Sequence, residues 1–108
     1  MIRVSVFKED GRYTGFISDG HAGYARHGED IVCAAVSMLV INTVNSILEF
    51  TDDGLEIESD EDRGLISASF TDDPSEAGTL LMDAMVLGLR GVEEEYGSRF
   101  IDISVKEE

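Results

Sequence analysis

Disulfide chemistry is the first thing this sequence excludes. Its 108 residues include one cysteine, so no bridge can close within the chain, which fits a reducing cytoplasm. A single proline and a 43% hydrophobic share describe a folded chain, not a disordered one. Basic side chains are scarce, with 8 Lys and Arg against 23 Asp and Glu and a formal net charge of −15. Such a surface repels phosphates, which argues against direct binding of RNA or DNA. It attracts a basic partner and speeds encounter with it, although solubility alone accounts for the charge of most acidic domains. Two histidines and one cysteine do not make a closed zinc site, and there is no phosphate loop or dinucleotide fingerprint. No metal and no cofactor is therefore expected. Met1 to Val6 reads as a strand without the apolar core of a signal peptide, and the apolar run from Ile31 to Ile41 is too short to span a bilayer. The expected setting is cytoplasmic, with no membrane attachment.

Periodicity is clear along the rest of the chain. Ile2, Val4 and Val6 alternate with Arg3 and Ser5 as in a half-buried strand, and the Glu9-Asp10-Gly11 turn leads to a second strand over Tyr13 to Ser18. A helix is expected from about Ile31 to Glu49. It is apolar nearly all round, so one sheet face cannot cover it, and a second helix or another subunit must cover the rest. Leu55 to Glu58 and Leu65 to Phe70 read as a second hairpin. Pro74, Ser75 and Glu76 open a second helix that ends near Tyr96, with Leu80, Leu81, Ala84, Met85, Leu87, Gly88 and Val92 as its core face and Gly97 as its C-cap. Ile101, Ile103 and Val105 alternate in a last strand. The order is ββαββαβ, and the size allows one domain over residues 1–108. The fold class expected is α+β, a mostly antiparallel sheet with both helices packed on one face.

Chemistry concentrates between Gly20 and Ser37, which hold both histidines and the cysteine. The first half of this stretch is rich in glycine and small residues, as a mobile loop would be. Asp30 reads as the N-cap of the first helix, which puts Cys33 in its first turn, near the positive end of the dipole, where a thiolate is favoured. His21 lies a short loop upstream and could take the thiol proton. Against this, a lone cysteine on an apolar helix is usually an inert small hydrophobe. His21 by itself is as well read as a loop histidine without a role.

Gly20-His21-Ala22, followed by a variable loop and Gly28-Glu29-Asp30-Ile31-Val32-Cys33-Ala34 with Ser37 one turn on, resembles the signature of the ribosomal-processing cysteine proteases of bacteria, the Prp family. The likeness continues through Val44-Asn45-Ser46-Ile47 and Glu93-Glu94-Glu95-Tyr96. The resemblance implies that Cys33 is the nucleophile and His21 its catalytic partner. His27 falls in the variable loop and inherits no role. Asp30, Ser37, Gly20 and Gly28 match motif positions as supporting residues. Asp30 could cap the helix or orient His21, Ser37 could bond near the site or fill space, and the two glycines could allow backbone geometry that a side chain would block.

The implied activity is that of a cysteine endopeptidase, a hydrolase acting in ribosome biogenesis. The implied substrate is the N-terminal extension of large-subunit ribosomal protein twenty-seven, cut after hydrophobic or aromatic residues. The family forms homodimers, which suits the all-apolar first helix. Two other readings remain for the residues themselves: a non-catalytic acidic chaperone for a basic ribosomal protein, and a thiol redox sensor at Cys33.

Overall fold

Alternating strands build the sheet. The computed structural model describes residues 1–20 and 27–108, with residues 27–30 described by their backbone alone. Strand β1 (Ile2–Glu9) buries Ile2, Val4 and Val6 on one face. It turns through Asp10 and Gly11, both at positive φ, into antiparallel β2 (Arg12–Asp19). Two successive positive-φ residues are what a tight hairpin requires. The register slips between Phe7 and Lys8, where Gly15 faces Phe7 and Tyr13 faces Lys8, leaving Thr14 as the extra residue of a bulge. A one-residue slip reverses which face a strand presents. Tyr13, Phe16 and Ser18 are consequently all buried despite their mixed parity.

Helix α1 (His27–Phe50) follows, then the hairpin of β3 (Leu55–Asp60) and β4 (Leu65–Phe70), helix α2 (Glu76–Tyr96) and β5 (Ile101–Glu107). The expected ββαββαβ order holds. The five strands form one sheet in the order β3-β4-β2-β1-β5. Every pairing is antiparallel except that of β1 with β5, where Ile2 sits opposite Ile101 and Val4 opposite Ile103. Val32, Val36, Val40, Val44 and Ile47 of α1 and Met82, Met85 and Leu89 of α2 close one core with the buried strand residues. Both helices therefore lie on the same face of the sheet. The class is α+β, as the alternation and helical periods predict.

Three expectations need correction. Helix α1 starts at His27, four residues before the start that an Asp30 cap implies, so Asp30 is a first-turn residue and Cys33 belongs to the second turn. Acidic residues suit the first turn as well as the cap, so sequence alone does not separate the two. Helix α2 keeps Met85 buried and Leu81 and Val92 packed on the core as expected, but its inward face is rotated: Gly78, Met82 and Leu89 are also buried, while Leu80, Ala84 and Leu87 are exposed. The expected and observed faces overlap and both have three- and four-residue spacing, and contacts set the rotation. Gly78 meets the Asp53 carboxylate, and Gly88 meets Leu39 of α1 so closely that a Cβ there would lie 2.8 Å from a leucine methyl. The third correction concerns the apolar run. It extends over the 20 residues Ile31–Phe50 and is long and apolar enough to cross a membrane, because Asn42, Thr43 and Asn45 are polar but uncharged. A core helix meets the same criterion, and the inward stripe of α1 is core.

The ends of α2 fall where the sequence marks them. Ser75 is the N-cap, its hydroxyl accepting from the Gly78 amide at 3.0 Å and donating to the Asp53 carboxylate at 2.8 Å. Gly97, at φ 94°, closes the C-terminus through its N–H to the Glu93 carbonyl at 2.8 Å.

Candidate active site

The segment that carries His21 starts from a constrained root. Strand β2 ends at Asp19, and Gly20 follows with φ 108°, a conformation that side chains other than hydrogen rarely allow. A Cβ on Gly20 would lie 2.5 Å from the carbonyl oxygen of Met1. The Gly20 amide donates to the Gly64 carbonyl at 3.2 Å, and the Arg63 guanidinium pairs with the Asp19 carboxylate at 3.1 Å. Arg63 and Gly64 belong to the turn that joins β3 to β4, so this turn is clasped to the end of β2. The clasp is made by residues far apart in sequence, and nothing in the local pattern marks Asp19, Arg63 or Gly64 as partners.

Residues 21–26 lie outside the described residues, and with them His21 and most of the expected mobile loop. The backbone of Gly28 and Asp30 lies in the first turn of α1. Cys33 is half-buried against the core and lines a groove of about 520 Å³ between α1 and the β3–β4 hairpin. One wall is α1, with Val40, Ile41, Val44 and Leu48; Ile57 and Ile66 of the hairpin form the floor. Gly20, Ser37, Asp60 and Glu61 also line it. The chain passes from the end of α1 through residues 51–54 directly into β3, so the two run in opposite directions along the groove. Cys33 and the β3–β4 turn therefore share one end, and Leu48 marks the other. Of the sequence-marked site residues, Gly20, Cys33 and Ser37 come together in this groove.

A groove with an apolar floor and a thiol at one end suits an extended apolar segment that brings a reacting carbonyl to the sulfur. Among the described residues no three His, Cys, Asp or Glu side chains are grouped to hold a metal ion. Among the described residues the one strong shift of ionisation lies elsewhere. The Tyr13 hydroxyl is held protonated well above its ordinary range, first by burial and then by Asp83, to which it donates at 2.5 Å.

Known proteins share both the fold and the sequence. The family described as Cysteine protease Prp matches residues 1–101. The ribosomal processing cysteine protease Prp of Staphylococcus aureus is 33% identical over 97 residues, which is 89% of this chain and 92% of that protein. Its counterpart in Bacillus subtilis is 32% identical over 85 residues, 75% of this chain and 76% of its own length. A crystal structure of the S. aureus protease in complex with a substrate peptide superposes with a TM-score of 0.90 at 32% identity, covering 98% of this chain and 100% of that one. The same protease with a covalently linked product peptide gives a TM-score of 0.88 at 33% identity, with the same coverage. Likeness of this extent covers nearly the whole chain, and by it the chain belongs to the Prp family of cysteine proteases.

Proposed function

We propose that this chain is a cytoplasmic endopeptidase, one domain over residues 1–108, that removes the N-terminal extension of bacterial large-subunit ribosomal protein twenty-seven with a Cys33–His21 dyad. The observation that carries the reading is Cys33 lining one end of an apolar groove, at the end where Gly20 leads into His21.

In the first step His21 takes the thiol proton, and the Cys33 thiolate attacks the carbonyl carbon of the scissile bond. The C=O electrons move onto oxygen in a tetrahedral intermediate. Its collapse breaks the C–N bond as the His21 imidazolium protonates the leaving amine, and a thioester to Cys33 remains. Water, deprotonated by His21, then attacks the thioester carbon; the C–S bond breaks, the His21 imidazolium returns its proton to the Cys33 thiolate, and the extension leaves with a new carboxylate. The dipole of α1 acts most strongly within its first turn. With Cys33 in the second turn, activation of the thiol rests mainly on the histidine. Ser37, one turn beyond Cys33 and on the groove, is suited to bond the peptide backbone. Gly28 and Asp30, in the first turn of α1, support the geometry of the segment that joins His21 to the helix.

Charge supports a basic ribosomal substrate, since the chain carries −15 and a basic protein is drawn to it. The outer face of the helix layer supports a homodimer. Ile31 and Met38 of α1 and Leu80 and Leu87 of α2 are exposed there, and none of them lines the groove.

Purified Cys33→Ala tests the reading, using the extended ribosomal protein as substrate. Cleavage should vanish while the substrate still binds, because only the sulfur is lost. Processing by Cys33→Ala at the wild-type rate, with contaminating protease excluded, would overturn the assignment of the nucleophile. Wild type that binds the protein without cleaving it would leave a chaperone instead.

A further inference from the structure

Two polar side chains among the described residues are buried, Ser18 and Thr43. Thr43 is satisfied inside its own helix, its hydroxyl donating to the Leu39 carbonyl at 2.7 Å. The hydroxyl of Ser18 makes no hydrogen bond to any described residue, although the residue is only 6% exposed. No polar side-chain atom among the described residues is both sealed from solvent and unpartnered. The part of Ser18 left open therefore includes its oxygen, and the surface it lines is the groove. Strand β2 buries Tyr13 and Phe16 beside it. A hydroxyl in such a place, with no partner in the protein, weakens a fold and does nothing for the core that an apolar residue would not do better.

The sheet register sets what Ser18 can meet. Ser18 of β2 lies opposite Ile66 of β4, and Ile66 opposite Ser59 of β3, in a single row across the sheet. All three line the groove, at the end shared by Gly20, Cys33 and the β3–β4 turn. The next row, Phe16, Ala68 and Ile57, is wholly apolar. The groove thus changes character along its length. It is apolar toward Leu48 and carries hydroxyls beside the sulfur, where Asp60 and Glu61 line it too.

Taking the endopeptidase reading above as its basis, we infer that Ser18 is a specificity-determining residue. It selects substrates in which one of the two residues preceding the scissile bond has an apolar stem and a hydrogen-bond donor at its tip. Successive side chains of an extended segment point to opposite sides, so only one of the two reaches the floor. The stem lies on Ile66 and the tip donates to the Ser18 oxygen. A donor suits Asp60 and Glu61 as well, which accept, whereas a carboxylate there would meet like charge. A peptide that fills the groove shuts water away from Ser18, and the bond lost to water must come from the peptide. A purely apolar side chain leaves the hydroxyl buried and unpaired, and a site of that kind discriminates against it.

The test uses synthetic peptides of four alternating leucines and alanines, two test positions, and a tail of two alanines and two lysines. Near-isosteric pairs are placed at either test position with alanine at the other: threonine against valine, glutamine against methionine, tyrosine against phenylalanine. Mass spectrometry of the products fixes the bond that is cut. Wild type and Ser18→Ala are assayed for kcat/KM. Binding is measured in Cys33→Ala, alone and combined with Ser18→Ala. At one test position the polar member of at least one pair should be favoured by at least about fivefold, in kcat/KM and in binding. Ser18→Ala should cut that preference to less than about twofold, through loss on the polar member. Its urea midpoint should not fall below that of wild type, since no bond within the protein is removed. A lower midpoint would give the hydroxyl a structural role and overturn the inference. So would a preference that is absent, or one that survives Ser18→Ala, or failure of Cys33→Ala to bind any of the peptides. Cleavage without a preference would sink the role of Ser18 and leave the endopeptidase standing. A Ser18-dependent preference in binding, without cleavage, would do the opposite.

Discussion

The amide of Gly20 donates to the carbonyl of Gly64 at 3.2 Å, joining the residue before His21 to the turn of the β3–β4 hairpin. Both glycines have positive φ, 108° and 70°. The Asp19–Arg63 ion pair closes the same junction one residue to the side. The root of the histidine segment and the end of the groove are therefore parts of one clasp, and a change at either residue is felt at both.

Gly20→Ala tests that clasp. The new Cβ would meet the Met1 carbonyl oxygen at 2.5 Å in a backbone conformation that alanine rarely adopts. Strain of this kind costs about 1–3 kcal/mol. Urea denaturation should show that loss, and cleavage should fall by more than the loss of folded protein explains, because His21 follows directly. A variant with wild-type stability and wild-type rate would refute it.

The two histidines should separate cleanly. His21→Ala should lower kcat/KM by at least about a hundredfold, the usual contribution of a positioned acid–base group. His27 is the first residue of α1, six positions before Cys33, and falls in the variable stretch of the motif. His27→Ala should keep kcat/KM within about twofold of wild type on the extended ribosomal protein. Equal losses in the two variants would remove His21 from its assigned role.

Association should depend on the outer face of the helices. Leu39 packs on Gly88 where α1 meets α2, and Met38 and Leu87, one position back on each helix, are 69% and 75% exposed. Met38→Glu combined with Leu87→Glu should turn a dimer into a monomer by light scattering at micromolar concentration. The thermal transition at high dilution should be unchanged, because neither side chain is in the core. A wild-type chain that is already monomeric at that concentration would defeat the dimer.

Alkaline pH should weaken the fold through Tyr13. Its hydroxyl stays protonated in the folded chain well above the ordinary phenol range, owing to burial and then to Asp83. The unfolded chain ionises at about pH 10. The contribution is therefore complete below that pH and is lost as pH rises beyond it, while the folded side chain still holds its proton. Tyr13→Phe should cost about 1 kcal/mol at pH 7, the net worth of one hydrogen bond. The gap between variant and wild type should narrow above about pH 10, as read from urea midpoints. A gap that is constant with pH would show that the tyrosine hydroxyl is not held in this way.

Local pattern determined the secondary structure of this protein. Ile2, Val4 and Val6 can bury one face only as a strand, and Ser75 and Gly97 end α2 because a hydroxyl and a positive φ satisfy orphan backbone groups locally. The motif from Gly20 to Ser37 likewise marks Cys33 and His21 through its resemblance to the Prp signature. Tertiary structure alone decided how far the apolar face of α2 is rotated, since overlapping stripes compete and only packing buries Met82 and Leu89 while leaving Leu80 and Leu87 exposed. It also decided the start of α1 at His27, because an acidic residue suits the first turn as well as the cap. The clasp of Asp19 and Gly20 to Arg63 and Gly64 joins residues 44 positions apart, and the groove beside Cys33 sets α1 against the β3–β4 hairpin. No local preference encodes such contacts; they exist because β2 and the β3–β4 hairpin share one sheet beneath α1.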